Sequence, residues 1–240
     1  MSALKRFFVE NIDDTAVLSG EEFEHAKNVL RLGVGDEVVL LDNSGKEYTA
    51  VIANVEKKQM LLNVVREEVG TREAKTEICL LFGYLKNADK NEFIVQKAVE
   101  LGVKKIGVFS SAFSSAYMNA NKLERLNKVA KEAAKQCLRA TAPVLEYYDT
   151  LQQALKSATA YENKIFACEF ADKSEIDLRL LKGSTTLVVG SEGGFSREEE
   201  ALAQSLGYKN ITLGKRILRA ETAAVALTAV AAFSLGELGD

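Results

Sequence analysis

Between Leu187 and Phe233, two glycine-bearing turns and a long alanine-rich helix follow one another with almost no polar padding, and this stretch constrains the fold more than any other. Thr186-Leu187-Val188-Val189 is a short, largely β-branched apolar run ending at Gly190, the pattern of a buried strand in an α/β sheet that feeds a tight turn. The turn itself is Gly190-Ser191-Glu192-Gly193-Gly194-Phe195. Ser196 stands three residues before Glu199, a capping-box spacing that predicts a helix running through Ala203 to Gly207, the glycine past its end. A second strand, Asn210-Ile211-Thr212-Leu213, ends at Gly214; Lys215-Arg216-Ile217-Leu218-Arg219-Ala220-Glu221-Thr222 then leads into a helix over residues 223–235.

Two strand ends that open into glycine turns place free backbone N–H and C=O groups at the carboxyl edge of a sheet, where α/β folds take small ligands. The first turn is not a Walker loop, because no Gly-Lys-Ser/Thr follows it, and its glycines lack the Gly-x-Gly-x-x-Gly spacing of a dinucleotide fold. Either turn alone is explained as a tight turn. Followed by Arg-Ile-Leu-Arg-Ala-Glu-Thr-Ala, the pair reads better as a ligand site.

The 240 residues, 47% of them hydrophobic, suffice for a sizeable core in one or two domains. No apolar run approaches a membrane span, and Met1 to Arg6 lacks a signal-peptide hydrophobic region, so the expectation is a cytoplasmic protein with no membrane contact. Cys79, Cys137 and Cys168 lie far apart beside a single histidine, which argues against a disulfide framework or a metal site; each cysteine is expected to be a small core residue. A net charge of −3 opposes a surface that grips nucleic acid everywhere, yet leaves room for a local basic face.

Residues 1–72 differ in texture from the remainder of the chain. Phe7-Phe8-Val9 starts a strand, and Ser19-Gly20-Glu21-Glu22 opens a short helix carrying Phe23, His25, Ala26, Val29 and Leu30. Three β-rich runs, 37–41, 48–55 and 60–65, are separated by Asp42-Asn43-Ser44-Gly45 and Lys57-Lys58-Gln59, a spacing that suggests a small β-barrel. The polar run over 66–73 reads as the linker. From Lys75 on, strands and helices alternate, predicting a parallel sheet: a strand over 78–84, a helix over 89–101 with Phe93, Ile94, Ala98 and Leu101 on one side, and strands over 105–109, 145–148 and 164–169. A long helix over 121–139 sets Leu123, Leu126, Ala130, Ala133 and Cys137 opposite a basic flank of Lys122, Arg125, Lys128, Lys131, Lys135 and Arg139. That flank is either a solvated face or a set of phosphate contacts.

Gly190-Ser191-Glu192-Gly193-Gly194-Phe195-Ser196 and Leu213-Gly214-Lys215-Arg216-Ile217-Leu218-Arg219-Ala220-Glu221-Thr222-Ala223, in that order and at that separation, resemble the 16S ribosomal RNA uracil-N3 methyltransferases of the RsmE type, in the SPOUT superfamily. The run from Lys90 to Val103, the run from His25 to Asp36, the opening Lys5-Arg6-Phe7-Phe8, and Glu132, Gln136 and Arg139 resemble the same family. Three departures stand out: Ser191 replaces a more frequent proline, Lys135 a more often acidic residue, and Ser110-Ser111-Ala112-Phe113-Ser114-Ser115 lacks a usual charged pair.

The resemblance implies an α/β, SPOUT-type trefoil-knotted methyltransferase domain over residues 73–240, preceded by a PUA-like RNA-binding β-barrel over 1–72. It implies a homodimer that uses S-adenosylmethionine to methylate N3 of a uridine in 16S ribosomal RNA of the 30S subunit. Backbone groups at Gly190, Glu192, Gly193, Gly194, Leu213, Gly214, Ile217, Leu218 and Arg219 would hold the cofactor. Arg219 is the first catalytic candidate, as a cation beside a developing uracil anion; Glu192 is either the base or a carboxylate that orders its turn. Glu221 either caps the last helix or pairs with Arg219. Lys5, Arg6, His25, Arg31, Arg125, Lys128 and Arg139 are the RNA-binding candidates, His25 standing between an RNA contact and an ordinary helix-face residue. Two rivals remain open: a non-catalytic RNA-binding protein of the same fold, and a methyltransferase acting at another RNA position.

Overall fold

The computed structural model describes residues 4–114, 116–169 and 173–239. The chain divides into two compact units, Met1–Glu73 with Ala134–Ala142, and Ala74–Ala133 with Pro143–Asp240.

In the first unit the elements are β1 (Lys5–Phe8), β2 (Thr15–Ser19), α1 (Gly20–Glu24), a π turn over His25–Val29, β3 (Glu37–Leu41), β4 (Lys46–Val55) and β5 (Gln59–Val69). They form a five-stranded sheet in the order β1-β3-β4-β5-β2, with β1 and β3 parallel and the other neighbours antiparallel. Register shifts in the β4–β5 ladder at Thr49/Ala50 and Ile52/Asn54 bend the sheet around a core of Phe7, Leu18, Phe23, Leu40, Ile52, Met60 and Leu62. Among the described residues no ladder joins the edge strands β1 and β2, so the small β-barrel suggested by the strand spacing takes the form of a curled sheet.

Two local expectations change here. The linker expected over 66–73 is strand in its first four residues: Arg66 to Val69 pair with Thr49 to Lys46. All four side chains are exposed, so no apolar alternation announced them, and ladder hydrogen bonds extend the strand instead. The helix expected to run through Val29 widens into a π turn after Glu24, leaving Val29 69% exposed.

The second unit contains β6 (Ile78–Gly83), α2 (Ala88–Glu100), β7 (Lys105–Phe109), α3 (Ala120–Gln136, its last turn grouping with the first unit), β8 (Val144–Tyr148), α4 (Leu151–Ser157), β9 (Asn163–Ala167), β10 (Thr185–Val189), α5 (Arg197–Ser205), β11 (Lys209–Ile211) and α6 (Ala220–Ser234). All six strands are parallel in the order β11-β9-β10-β6-β7-β8, so every carboxyl end lies on one edge. The chain winds outward from β6 to β8, then crosses over to β9; β10 enters beside β6, which puts the reversal of winding at the β6/β10 pair. Thr185 to Val189 are fully buried, as a central parallel strand requires.

Helix α2 buries Ile94, Val95, Ala98 and Val99; Phe93, expected on that face, is 43% exposed. Helix α3 stops at Gln136, and Leu138 follows with φ of 65°, so Arg139 lies beyond the helix the sequence extended to it. Cys79 and Cys168 are buried core residues, whereas Cys137 is only half-buried. No described helix is long and apolar enough to cross a membrane.

Candidate cofactor cleft

The site begins with three turns at the carboxyl edge of the parallel sheet. After β6 the chain is fixed by Asn91, 1% exposed on α2, whose side chain accepts from Leu85 N–H (2.9 Å) and donates to the carbonyls of Leu85 (2.9 Å) and Asn87 (2.8 Å). Asn87 in turn caps α2 by accepting from Asp89 N–H at 2.8 Å. This fixes Lys90 in the first turn of α2.

The second turn follows β10. A Cβ on Gly83 would come within 2.5 Å of Ser191 N and 3.1 Å of Gly190 C, so only a glycine lets β6 run against this turn. Gly194 has φ of +68°, a left-handed conformation that other residues adopt at a cost. Phe195 then anchors the turn in the core, 2% exposed, its ring 4.1 Å from that of Phe166. Ser196 accepts from Glu199 N–H (3.2 Å) while Glu199 accepts from Ser196 N–H (2.9 Å), the reciprocal cap that the spacing predicted. Glu192 Oε1 accepts from Lys86 N–H at 3.0 Å, which ties the carboxylate to the turn after β6.

Two of the departures from the resembled family meet here. Ser191, 4% exposed, and Ser111 have hydroxyls 3.2 Å apart, a hydrogen bond that proline could not make. The same segment is tied to α5 by Ala112 N–H, which donates to Glu199 Oε1 at 2.8 Å. Hydroxyl contacts thus hold the segment against the glycine turn where a charged pair was expected.

The third turn follows β11. The strand ends at Ile211, two residues earlier than the sequence suggested, because Thr212 N–H bonds Ser174 Oγ (3.2 Å) rather than a neighbouring strand. Residues 212–219 then run irregularly to α6. That helix starts at Ala220, three residues earlier than expected, with Arg219 at the N-cap and its carbonyl accepting from Ala223 N–H at 2.8 Å.

The second and third turns, with Lys90 of α2 and the head of α6, enclose a cleft of about 450 Å³. Gly190, Glu192, Gly194, Leu213, Gly214, Ile217, Leu218 and Arg219 all line it; Gly193, the remaining cofactor candidate, sits instead under Phe113, with 2.6 Å between its ideal Cβ position and that of the phenylalanine. Lys90, Glu169, Thr212, Lys215 and Arg216 also line it. Sequence reasoning did not assign Lys90 or Glu169 to the site. Lys90 lay inside a resembling run that served only to mark a helix, and Glu169 ended a strand that carried no motif.

Glu221 is not hydrogen-bonded to Arg219. Its Oε1 lies 2.9 Å from Lys90 Nζ, while its Oε2 is covered and has no hydrogen-bond partner. Burial works to raise this carboxyl, but the Lys90 hydrogen bond, its own backbone N–H and the charges of Lys90 and Arg219 more than offset it and hold it below the usual carboxylate range. The cleft therefore has a rim of mixed charge, Lys215, Arg216 and Arg219 with Glu169 and Glu192, the positive end of the α6 dipole, and one ion pair in its wall.

The basic candidates divide by exposure. Lys5 and Arg31 are exposed; His25 is half-buried, edge-on to Phe7 at 6.3 Å. Arg125 is 63% exposed beside Glu92 and Lys128 is 49% exposed beside Glu124. Arg6 and Arg139 do not join them. Their side chains are 8% and 3% exposed and paired with Glu47 (2.8 Å) and Glu73 (2.9 Å), which removes them from the cations a phosphate could reach.

A family model for an RNA methyltransferase domain matches residues 72–232, and a model for an RNA methyltransferase PUA domain matches residues 18–65. The chain belongs to the ribosomal RNA small subunit methyltransferase E family. It is 34% identical to the Bacillus subtilis protein of that name over 95% of this chain and 96% of the relative, and 33% identical to that of Rickettsia conorii over 89% and 86%. The Neisseria gonorrhoeae member, solved bound to S-adenosyl methionine, superposes with a TM-score of 0.86 at 31% identity, over 97% of this chain and 98% of that one. The protein Lpg2936 of Legionella pneumophila, also solved with bound S-adenosylmethionine, superposes with a TM-score of 0.87 at 28% identity, over 96% and 98%.

Proposed function

We propose that this chain transfers a methyl group from S-adenosylmethionine to N3 of a uridine in the 16S ribosomal RNA of the small ribosomal subunit. It does so in the cytoplasm, as a homodimer of the trefoil-knotted SPOUT type, with residues 1–72 as the RNA-binding module and 73–240 as the methyltransferase domain. The observation that carries the reading is the cleft itself, in which two glycine turns and the head of α6 converge on the carboxyl ends of β9, β10 and β11, within a chain of this family. The residues fit the cofactor. Glycines allow backbone to close in, and the covered Glu221 Oε2 can accept from a ligand donor.

When bound, the cofactor supplies an electrophilic methyl group on a sulfonium. Backbone groups at Gly190, Glu192, Gly194, Leu213, Gly214, Ile217, Leu218 and Arg219 would hold it, while Gly193, packed under Phe113, would shape the turn without touching it. Attack by N3 requires loss of the imide proton; Arg219, exposed at the N-cap of α6, stabilises the resulting ring anion, and Glu192 at the cleft lip is the base. The target uridine must be unpaired or flipped, since N3 lies on its pairing edge. Lys5, His25 and Arg31 on the first unit, and Arg125 and Lys128 on the second, contact the RNA. The dimer is supported by α6, which leaves Val230 (42%) and Phe233 (66%) exposed although the helix is apolar nearly all round.

Methyl transfer from labelled S-adenosylmethionine to 30S subunits lacking the modification, with the nucleoside identified by mass spectrometry, tests the reading. The expected product is 3-methyluridine. A different methylated nucleoside would move the activity to another position; RNA binding without transfer would leave a non-catalytic binding protein. Arg219→Ala is expected to lower turnover roughly 100-fold or more while leaving thermal unfolding unchanged.

A further inference from the structure

The Lys90–Glu221 ion pair stands in the cleft wall with no part in the proton removal and anion stabilisation assigned to Glu192 and Arg219. We propose that it receives the α-amino-acid head of S-adenosylmethionine, the Lys90 ammonium meeting the ligand carboxylate and the Glu221 carboxylate meeting the ligand ammonium. The inference rests on the proposed use of that cofactor and names the residues that read its methionine end.

Three observations lead there. Both residues line the cleft, and they are its inner charges: their side chains are 28% and 16% exposed, whereas Glu169, Glu192, Lys215, Arg216 and Arg219 are exposed. The pair is neutral overall. A lone anion docking beside it would be attracted by Lys90 and repelled by Glu221 at similar distance, but a zwitterion lying antiparallel gains from both charges. The covered Oε2 of Glu221 has no donor, and an ionised carboxylate oxygen lacking one is the kind of acceptor that an arriving ammonium satisfies. Glu192, by contrast, already accepts from Lys86 N–H. The low-lying carboxyl of Glu221 keeps it charged at neutral pH, as such a receptor must be.

The position also follows from the fold. Asn87 and Asn91 fix the start of α2, which sets Lys90 facing the first turn of α6, and Glu221 is favoured in that turn by the helix dipole. The receptor is therefore built from rigid elements rather than loop side chains.

Calorimetric titration of the full chain with S-adenosylhomocysteine and with 5′-methylthioadenosine, which shares the nucleoside and thioether but lacks the amino-acid head, tests the proposal. Wild-type protein is expected to prefer S-adenosylhomocysteine by roughly tenfold or more, the scale of charge-assisted hydrogen bonds. Lys90→Met and Glu221→Gln should lose that preference while keeping their affinity for 5′-methylthioadenosine; Lys90→Arg, which keeps the charge, should retain it. Parallel weakening of both ligands, or an unchanged preference in Lys90→Met and Glu221→Gln, would overturn the proposal. Failure of wild-type protein to bind either ligand would overturn the cofactor reading and the inference with it.

Discussion

Arg125 and Lys128 on α3, and Lys135 and Arg139 at its end and just past it, look alike in sequence, as cations at helical spacing along one stretch. Their surroundings are opposite. Arg125 and Lys128 are 63% and 49% exposed, whereas Lys135 and Arg139 are 8% and 3% exposed and paired with Glu22 and Glu73. The first two belong to the parallel-sheet unit and the last two to the curled-sheet unit. Charge periodicity therefore finds a stripe but not its depth: exposed pairs contribute little, while a buried cation cannot be removed without stranding its partner.

The largest effect that would test this contrast is at Arg139. Arg139→Met should leave the Glu73 carboxylate uncompensated and destabilise the protein by on the order of 3 kcal/mol, read from urea unfolding. A change as small as that of an exposed lysine would erase the distinction. Lys135→Met, whose ammonium is 3.0 Å from Glu22, should be next in size.

Acid sharpens the same contrast. Burial works to raise the Glu73 carboxyl, but the hydrogen bond and charge of Arg139 and the Thr141 N–H more than offset it, so it lies below its ordinary value of 4.5. A depressed folded value means that this contribution is fully present above about pH 4.5 and is lost as pH falls through the folded value. Urea midpoints measured from neutral to acid pH should therefore drop less steeply in Glu73→Gln than in wild type. An equal drop would remove Glu73 from the acid response.

The smallest stability changes belong to the exposed cations. Arg125→Gln and Lys128→Gln should each alter stability by no more than about 0.5 kcal/mol. If they touch RNA phosphates, each should lower the slope of log affinity against log salt by about one. Unchanged slopes would leave this face merely solvated.

Much of the cleft was legible in the chain. The Ser196/Glu199 cap, the positive-φ Gly194 and the buried β10 are local consequences of local sequence, and each formed where its pattern lay. β2 went unread although its alternation is clear in the structure, Ala16 and Leu18 inward and Thr15, Val17 and Ser19 outward, because five residues carry too little signal against neighbouring turns. Arg66–Val69 went unread because its pairing, not its side chains, makes it a strand. Lys90 offers no local sign of a ligand; it enters the site only because α2 and α6 meet.

The sequence by itself determined the alternation of strands and helices, the glycine turns and the family, since backbone conformation and apolar periodicity act over a few residues. Only the tertiary structure decided which charges are buried. Arg6 and Arg139 became structural, Arg125 and Lys128 stayed at the surface, and Lys90 found Glu221 across 131 positions of chain. The reason is physical. Desolvation and ion pairing depend on what packs from elsewhere in the chain, and no spacing along one helix encodes that.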